Sequence, residues 1–85
     1  MSKVAFTRHA IVKFDILKRH GFEVSHAQVE ETLLDPKKVI SEKGNKFIAQ
    51  KTITDRHVLR DVYRMEREAM IVITFYPGRR DRYEG

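Results

Sequence analysis

The sequence predicts an α+β domain: an N-terminal helix pair packed on one face of a three- to five-stranded antiparallel sheet. Two observations carry that prediction. Apolar residues recur at helical spacing only as far as Leu34, and strand-like runs take over from Lys38 onward. Helices followed by consecutive strands with short connections is the pattern of segregated α+β layers, in which neighbouring strands pair as a meander. With 85 residues there is too little chain for a second core, so residues 1–85 form a single domain.

The first helix begins at Thr7, a good N-cap, with Phe6 placed to staple onto Ile11. Ala10, Phe14 and Leu17, with Ile11 beside them, form an apolar stripe, while Lys13, Lys18 and Arg19 face water. Gly21 supplies the positive φ that ends the helix, and Lys18, Arg19 and His20 suit the negative end of its dipole. Ser25-His26-Ala27-Gln28 is a capping box for a second helix, with Val24 and Val29 at the staple positions. That helix runs through Leu33 and ends near Asp35, because Pro36 disfavours helical geometry before it.

Lys38 to Glu42 and Lys46 to Ile53 read as strands around a Lys43-Gly44-Asn45 hairpin loop. Thr54-Asp55-Arg56 leads to a third run, His57 to Met65, and Glu66-Arg67-Glu68 turns the chain into Met70 to Tyr76. Pro77-Gly78 is expected to stop that strand, and Arg79-Arg80-Asp81-Arg82 to begin a basic tail. Val4 to Phe6 adds one more short strand.

Alternation divides the last strands into faces. Ile71, Ile73, Phe75, Leu59 and Tyr63 are expected beneath the helices, leaving Arg60 and Arg64 on the open face near Thr74 and Tyr76. Four residues apart on one face, these arginines are separated by about 14 Å, one or two phosphate steps of a nucleic-acid backbone. The same pair also suits an exposed sheet face that needs only solvation. Asp61 is in phase with Leu59 and Tyr63, where an unpaired carboxylate is costly. It lies at the sheet rim, pairs with a base such as His9, or marks an inverted face assignment.

Seventeen Lys and Arg against twelve Asp and Glu leave a net charge of +5, which favours a polyanionic partner such as RNA or DNA, or an acidic protein. Lysine dominates up to Lys51; after it every Lys-or-Arg position is an Arg, the residue that binds phosphate bidentately and stacks on bases. Cysteine is absent, which excludes disulfides, thiolate metal sites and Cys nucleophiles. His9, His20, His26 and His57 have no metal-ligand spacing, and no phosphate-binding glycine loop or Ser nucleophile motif occurs, so no metal or cofactor is expected. His9 opens the first helix, where a local hydrogen bond is the ordinary role. No targeting segment or membrane-length apolar run is found, and the chain reads as soluble and cytoplasmic, without a membrane partner.

Phe6-Thr7-Arg8-His9-Ala10, the stretch from Lys18-Arg19-His20-Gly21 to Ser25, Leu34-Asp35-Pro36 and the closing Ile73-Thr74-Phe75-Tyr76-Pro77 together resemble a family of small uncharacterised prokaryotic domains. In that family the pattern is roughly F-T-x-H-A, then R-G-(I/F)-(S/T), then T-x-Y in the last strand, and the order and spacing span nearly the whole chain. The family looks related to the RelE/ParE superfamily of toxin–antitoxin toxins, which implies two helices against a small antiparallel sheet. In RelE-like toxins the open sheet face and the chain's end promote attack of an RNA 2′-hydroxyl on the adjacent phosphate without a metal. Carried over by strand position, the resemblance implies Arg60 and Arg64 as cations for the developing charge, and Lys51, Arg79 and Arg80 as RNA grips. Tyr76 or Tyr83 would be the acid or stacking ring, and His9 would orient the site or hold the helix start. Asp61 departs from the related domains, which more often have an apolar residue there.

The expected function is therefore that of a toxin-like, RNA-directed, metal-independent endoribonuclease, acting on free or ribosome-bound RNA and neutralised by an antitoxin protein. The alternative is a non-catalytic module of the same fold that binds nucleic acid or protein, or self-associates as a homo-oligomer through an exposed strand edge.

Overall fold

The computed structural model describes residues 3–84. In chain order the elements are β1 (Lys3–Phe6), α1 (Arg8–Arg19), α2 (His26–Leu34), β2 (Lys38–Ser41), β3 (Lys46–Thr52), β4 (His57–Glu66), β5 (Ala69–Arg79) and α3 (Arg80–Tyr83). The class is α+β, with a five-stranded sheet in the order β1-β5-β4-β3-β2. The sheet is mixed rather than antiparallel. Strands β2 to β5 are joined by short connections and pair antiparallel, whereas β1 reaches the rest through two helices and pairs parallel to β5. A connection that long leaves the strand direction unconstrained by a hairpin.

Local signals set the helix boundaries. Thr7 is extended at φ −68°, ψ 164°, and its hydroxyl oxygen accepts from the Ala10 N–H. Ser25 and Gln28 complete a reciprocal capping box, each side chain accepting from the other's backbone N–H. Gly21, at φ 80°, takes the left-handed conformation that ends α1. The expected Phe6–Ile11 staple does not form: Ile11 is 55% exposed, and Phe6 instead lies 5.9 Å from the Phe14 ring and 5.2 Å from that of His26. The second staple position is occupied as expected, with Val24 and Val29 both buried.

The core gathers Ala10 of α1 and Val29 and Leu33 of α2 with Ala49, Leu59, Tyr63, Val72 and Phe75 of the sheet. Cross-strand partners share a face, so the register divides the sheet. Ala49, Asp61 and Phe75 stand in one row on the core side; Gln50, Arg60 and Tyr76 stand in the adjacent row on the other. The expected faces hold for Leu59, Tyr63 and Phe75 and fail for the start of β5. There Val72 is in the core, Met70 packs against it, and Ile71 pairs with Arg64 on the open side. A β-bulge is the cause: Val62 faces Thr74 but Tyr63 faces Val72, leaving Ile73 as an extra residue that reverses the phase. Thr7 occupies this irregularity, donating its N–H to the Val72 carbonyl and its hydroxyl to the Ile73 carbonyl, both at 3.0 Å. One residue thus caps α1, ends β1 and satisfies the bulge.

At its other end β5 does not stop at Pro77-Gly78 but continues to Arg79, opposite His57. Strand β1 has ended opposite Val72, so at Pro77 the outer side of β5 carries no strand, and a missing N–H there breaks no ladder. The expected basic tail is instead the short helix α3, which contacts β4 and β5.

Candidate nucleic-acid interface

Arg60 is the centre of the open face. Its Nη1 donates to the Tyr76 hydroxyl oxygen at 3.1 Å, and its guanidinium carbon lies 4.1 Å from the centroid of the Tyr83 ring and 5.6 Å from that of Tyr76. Register explains the first contact, since Arg60 and Tyr76 are direct cross-strand partners. Chain reversal explains the second: α3 turns back and lays Tyr83 over Gly78, where a Cβ would come within 2.4 Å of the ring. Glycine is therefore required for that approach. Arg60 is only 8% exposed as a result, and its Nε has no hydrogen-bond partner.

The segment bearing Tyr83 is held by polar contacts. Arg80 donates its backbone N–H to the Arg56 carbonyl at 2.8 Å and its Nη1 to the Asp55 carbonyl at 3.1 Å. Glu84 accepts from the Thr52 hydroxyl and from Arg80 Nε at 2.6 Å; these two bonds, Thr52 first, hold its carboxyl below the usual range. Gln50, 4% exposed and directly opposite Arg60, donates Nε2 to the Tyr83 carbonyl at 3.4 Å, while its Oε1 is unpartnered.

The residues singled out in the sequence separate into groups. Arg60 and Tyr76 come together. Arg64 shares their face two register steps away and pairs with Glu66. His9 does not join them: it is exposed on α1, the helix that packs against the core side of β5. Lys51 is in phase with Ala49 and reaches Asp35 at 3.2 Å and Glu31 at 3.8 Å, so its charge is directed to α2. Arg79 pairs with Asp81 at 3.5 Å and Arg80 with Glu84, around an open cleft of about 750 Å³ that also includes Arg56 and His57. Of the three arginines there, Arg79 and Arg80 are paired with carboxylates. Among the described residues no three His, Asp or Glu side chains gather as a metal site.

Asp61 resolves differently from each of its three readings. It is neither at the rim nor on an inverted face, and no base pairs with it: it is 0% exposed between Ala49 and Phe75, and both carboxyl oxygens lack partners. Desolvation alone pushes its carboxyl up to about 8, so the neutral acid predominates at pH 7. Burial raises the Tyr63 phenol as well.

Gln50 and Gly78 escape a reading from the sequence. A glutamine alternating with Ala49 and Lys51 looks like any exposed strand residue, and a glycine after proline looks like a strand stop. Only the return of the chain end over the sheet gives either a role. Compared with family models, curated proteins and solved structures, the chain matches none. Among the described residues no helix is long and apolar enough to cross a membrane.

Proposed function

We propose that this protein acts on RNA through its open sheet face, as a toxin-like, metal-independent endoribonuclease with Arg60 and Tyr76 at its centre. The observation that carries the reading is the 3.1 Å bond from Arg60 to the Tyr76 hydroxyl, which places a permanent cation beside a proton donor on the basic face. A phosphodiester there would rest its equatorial oxygens against Arg60 while a 2′-hydroxyl attacks phosphorus. The new P–O2′ bond forms as the P–O5′ bond breaks; Tyr76 protonates the departing 5′-oxygen, and the 2′-hydroxyl proton passes to water. The products are a 2′,3′-cyclic phosphate and a 5′-hydroxyl. The resemblance to RelE-related domains and the net charge of +5 support the same reading. It brings with it a small neutralising protein, and RNA that is free or held on a ribosome.

A second reading, RNA binding without cleavage, is favoured by one observation: His9 is on the helix layer and Lys51 is paired with α2, so neither supplies a base to the Arg60–Tyr76 pair. Purified protein incubated with a transcript in EDTA separates the readings. Cyclic-phosphate ends that disappear with Arg60→Gln and Tyr76→Phe, in variants that unfold like the parent, support the nuclease. Binding with intact RNA supports the second reading. An anisotropy signal that neither variant changes, or no binding at all, refutes both.

A further inference from the structure

The Arg60 guanidinium is covered, although it is the central cation of the open face. What covers it is a flat aromatic ring, Tyr83, 4.1 Å from the guanidinium carbon. Two polar atoms here are without partners, Arg60 Nε and Gln50 Oε1, on directly paired cross-strand residues that are 8% and 4% exposed. A buried donor and a buried acceptor left unmatched on neighbouring strands call for a further partner. Beside them opens a cavity of about 390 Å³, bounded by Lys37, Lys38, Gln50, Lys51, Tyr83 and Glu84. Lys38 is the direct cross-strand partner of Gln50, so Lys38, Gln50 and Arg60 form one row across three strands.

We propose that this row is the binding site for one nucleotide of a single-stranded RNA, and that Tyr83 occupies the place of its base. The inference rests on the RNA reading above. Bases stack on arginine planes as well as on aromatic rings, so the base takes the position over Arg60 that Tyr83 holds in the free protein. Lifting the strap of residues 80–84 also breaks the bond from Gln50 Nε2 to the Tyr83 carbonyl. Gln50 then presents a donor and an acceptor together, the pair an amide uses to grip a base edge. Lys38, exposed at the end of the row, meets the phosphate. Tyr83 is thus a competitor of the ligand and not part of its binding surface.

Fluorescence anisotropy with a labelled twelve-nucleotide single-stranded RNA at low salt tests this directly. Removing the competing ring with Tyr83→Ala is expected to tighten binding roughly tenfold, and Tyr83→Phe, which keeps the ring, to leave it unchanged. Gln50→Leu and Arg60→Gln should each weaken binding in the Tyr83→Ala background, with unfolding curves confirming that the variants fold. Amide exchange at Glu84, whose N–H is bonded to the Arg80 carbonyl, should accelerate when RNA is added. Weaker or unchanged binding by Tyr83→Ala, or slower exchange at Glu84, overturns the proposal while leaving RNA binding intact. Absence of binding by the parent and by Tyr83→Ala overturns the RNA reading together with the site.

Discussion

Replacing Asp61 should change how stability depends on pH more than any other single substitution. In the unfolded chain its carboxyl titrates near the ordinary aspartate value of 3.8, and burial in the core pushes it up to about 8. Between those values the native state holds a proton that the unfolded state has released, so stability falls as pH rises and levels off above the folded value. A gap of about four units corresponds to about 5 kcal/mol across the window, or close to 1.4 kcal/mol for each pH unit in its middle. That is a large share of the total for a domain of this size. Asp61→Asn cannot titrate, and Asp61→Val also removes the two unpartnered oxygens. Urea unfolding of the parent and both variants at pH 5, 6, 7 and 8 measures the effect. The four histidines are common to all three proteins, so the difference between curves isolates Asp61. The parent should lose stability relative to Asp61→Asn by about 3 kcal/mol between pH 5 and 7, and Asp61→Val should be the most stable of the three at pH 8. Parallel curves would mean that Asp61 titrates alike in both states, and the account of a desolvated carboxyl would be wrong.

Three further substitutions probe other parts of the structure. Arg67 sits at φ 56° in the β4–β5 turn, where the strain of a side chain outweighs the entropy glycine adds to the unfolded chain, so Arg67→Gly should stabilise by about 1 kcal/mol in urea unfolding. Ser25→Ala removes one half of the α2 capping box and should destabilise by about 1 kcal/mol, while Ser25→Asn should be close to neutral. Gly78→Ala drives a methyl into the Tyr83 ring and should release the strap without unfolding the sheet. Faster tryptic cleavage after Arg80 and Arg82, with a nearly unchanged midpoint, is the expected pattern; parent-like cleavage would show that the ring adjusts in place.

The helices were legible because their signals are local. The Ser25–Gln28 box and the left-handed glycine at position 21 act within a few residues, and each was found where the residue types put it. Strand faces were legible on β4, where alternation is unbroken from Leu59 to Tyr63, and not on β5, where Ile73 is an extra residue. No residue of β5 announces that bulge, and the residue that satisfies it, Thr7, is sixty-six positions away in sequence from the carbonyl it bonds. The candidate site divides in the same way. Arg60 and Tyr76 could be placed on one face by counting, whereas the diversion of Lys51 to Asp35 and the separation of His9 depend on which elements lie behind the sheet.

Composition and periodicity alone established the α+β class, the absence of disulfide chemistry, a basic surface and an awkward aspartate in phase with the core. Those properties follow from residue type and nearest-neighbour spacing, which any conformation of the chain inherits. Tertiary structure alone decided that β1 runs parallel to β5, that Asp61 is buried without a partner, and that the chain's end returns to lay Tyr83 over Arg60. Each of these joins segments distant in sequence, and their energies exist only once the sheet has brought the partners together.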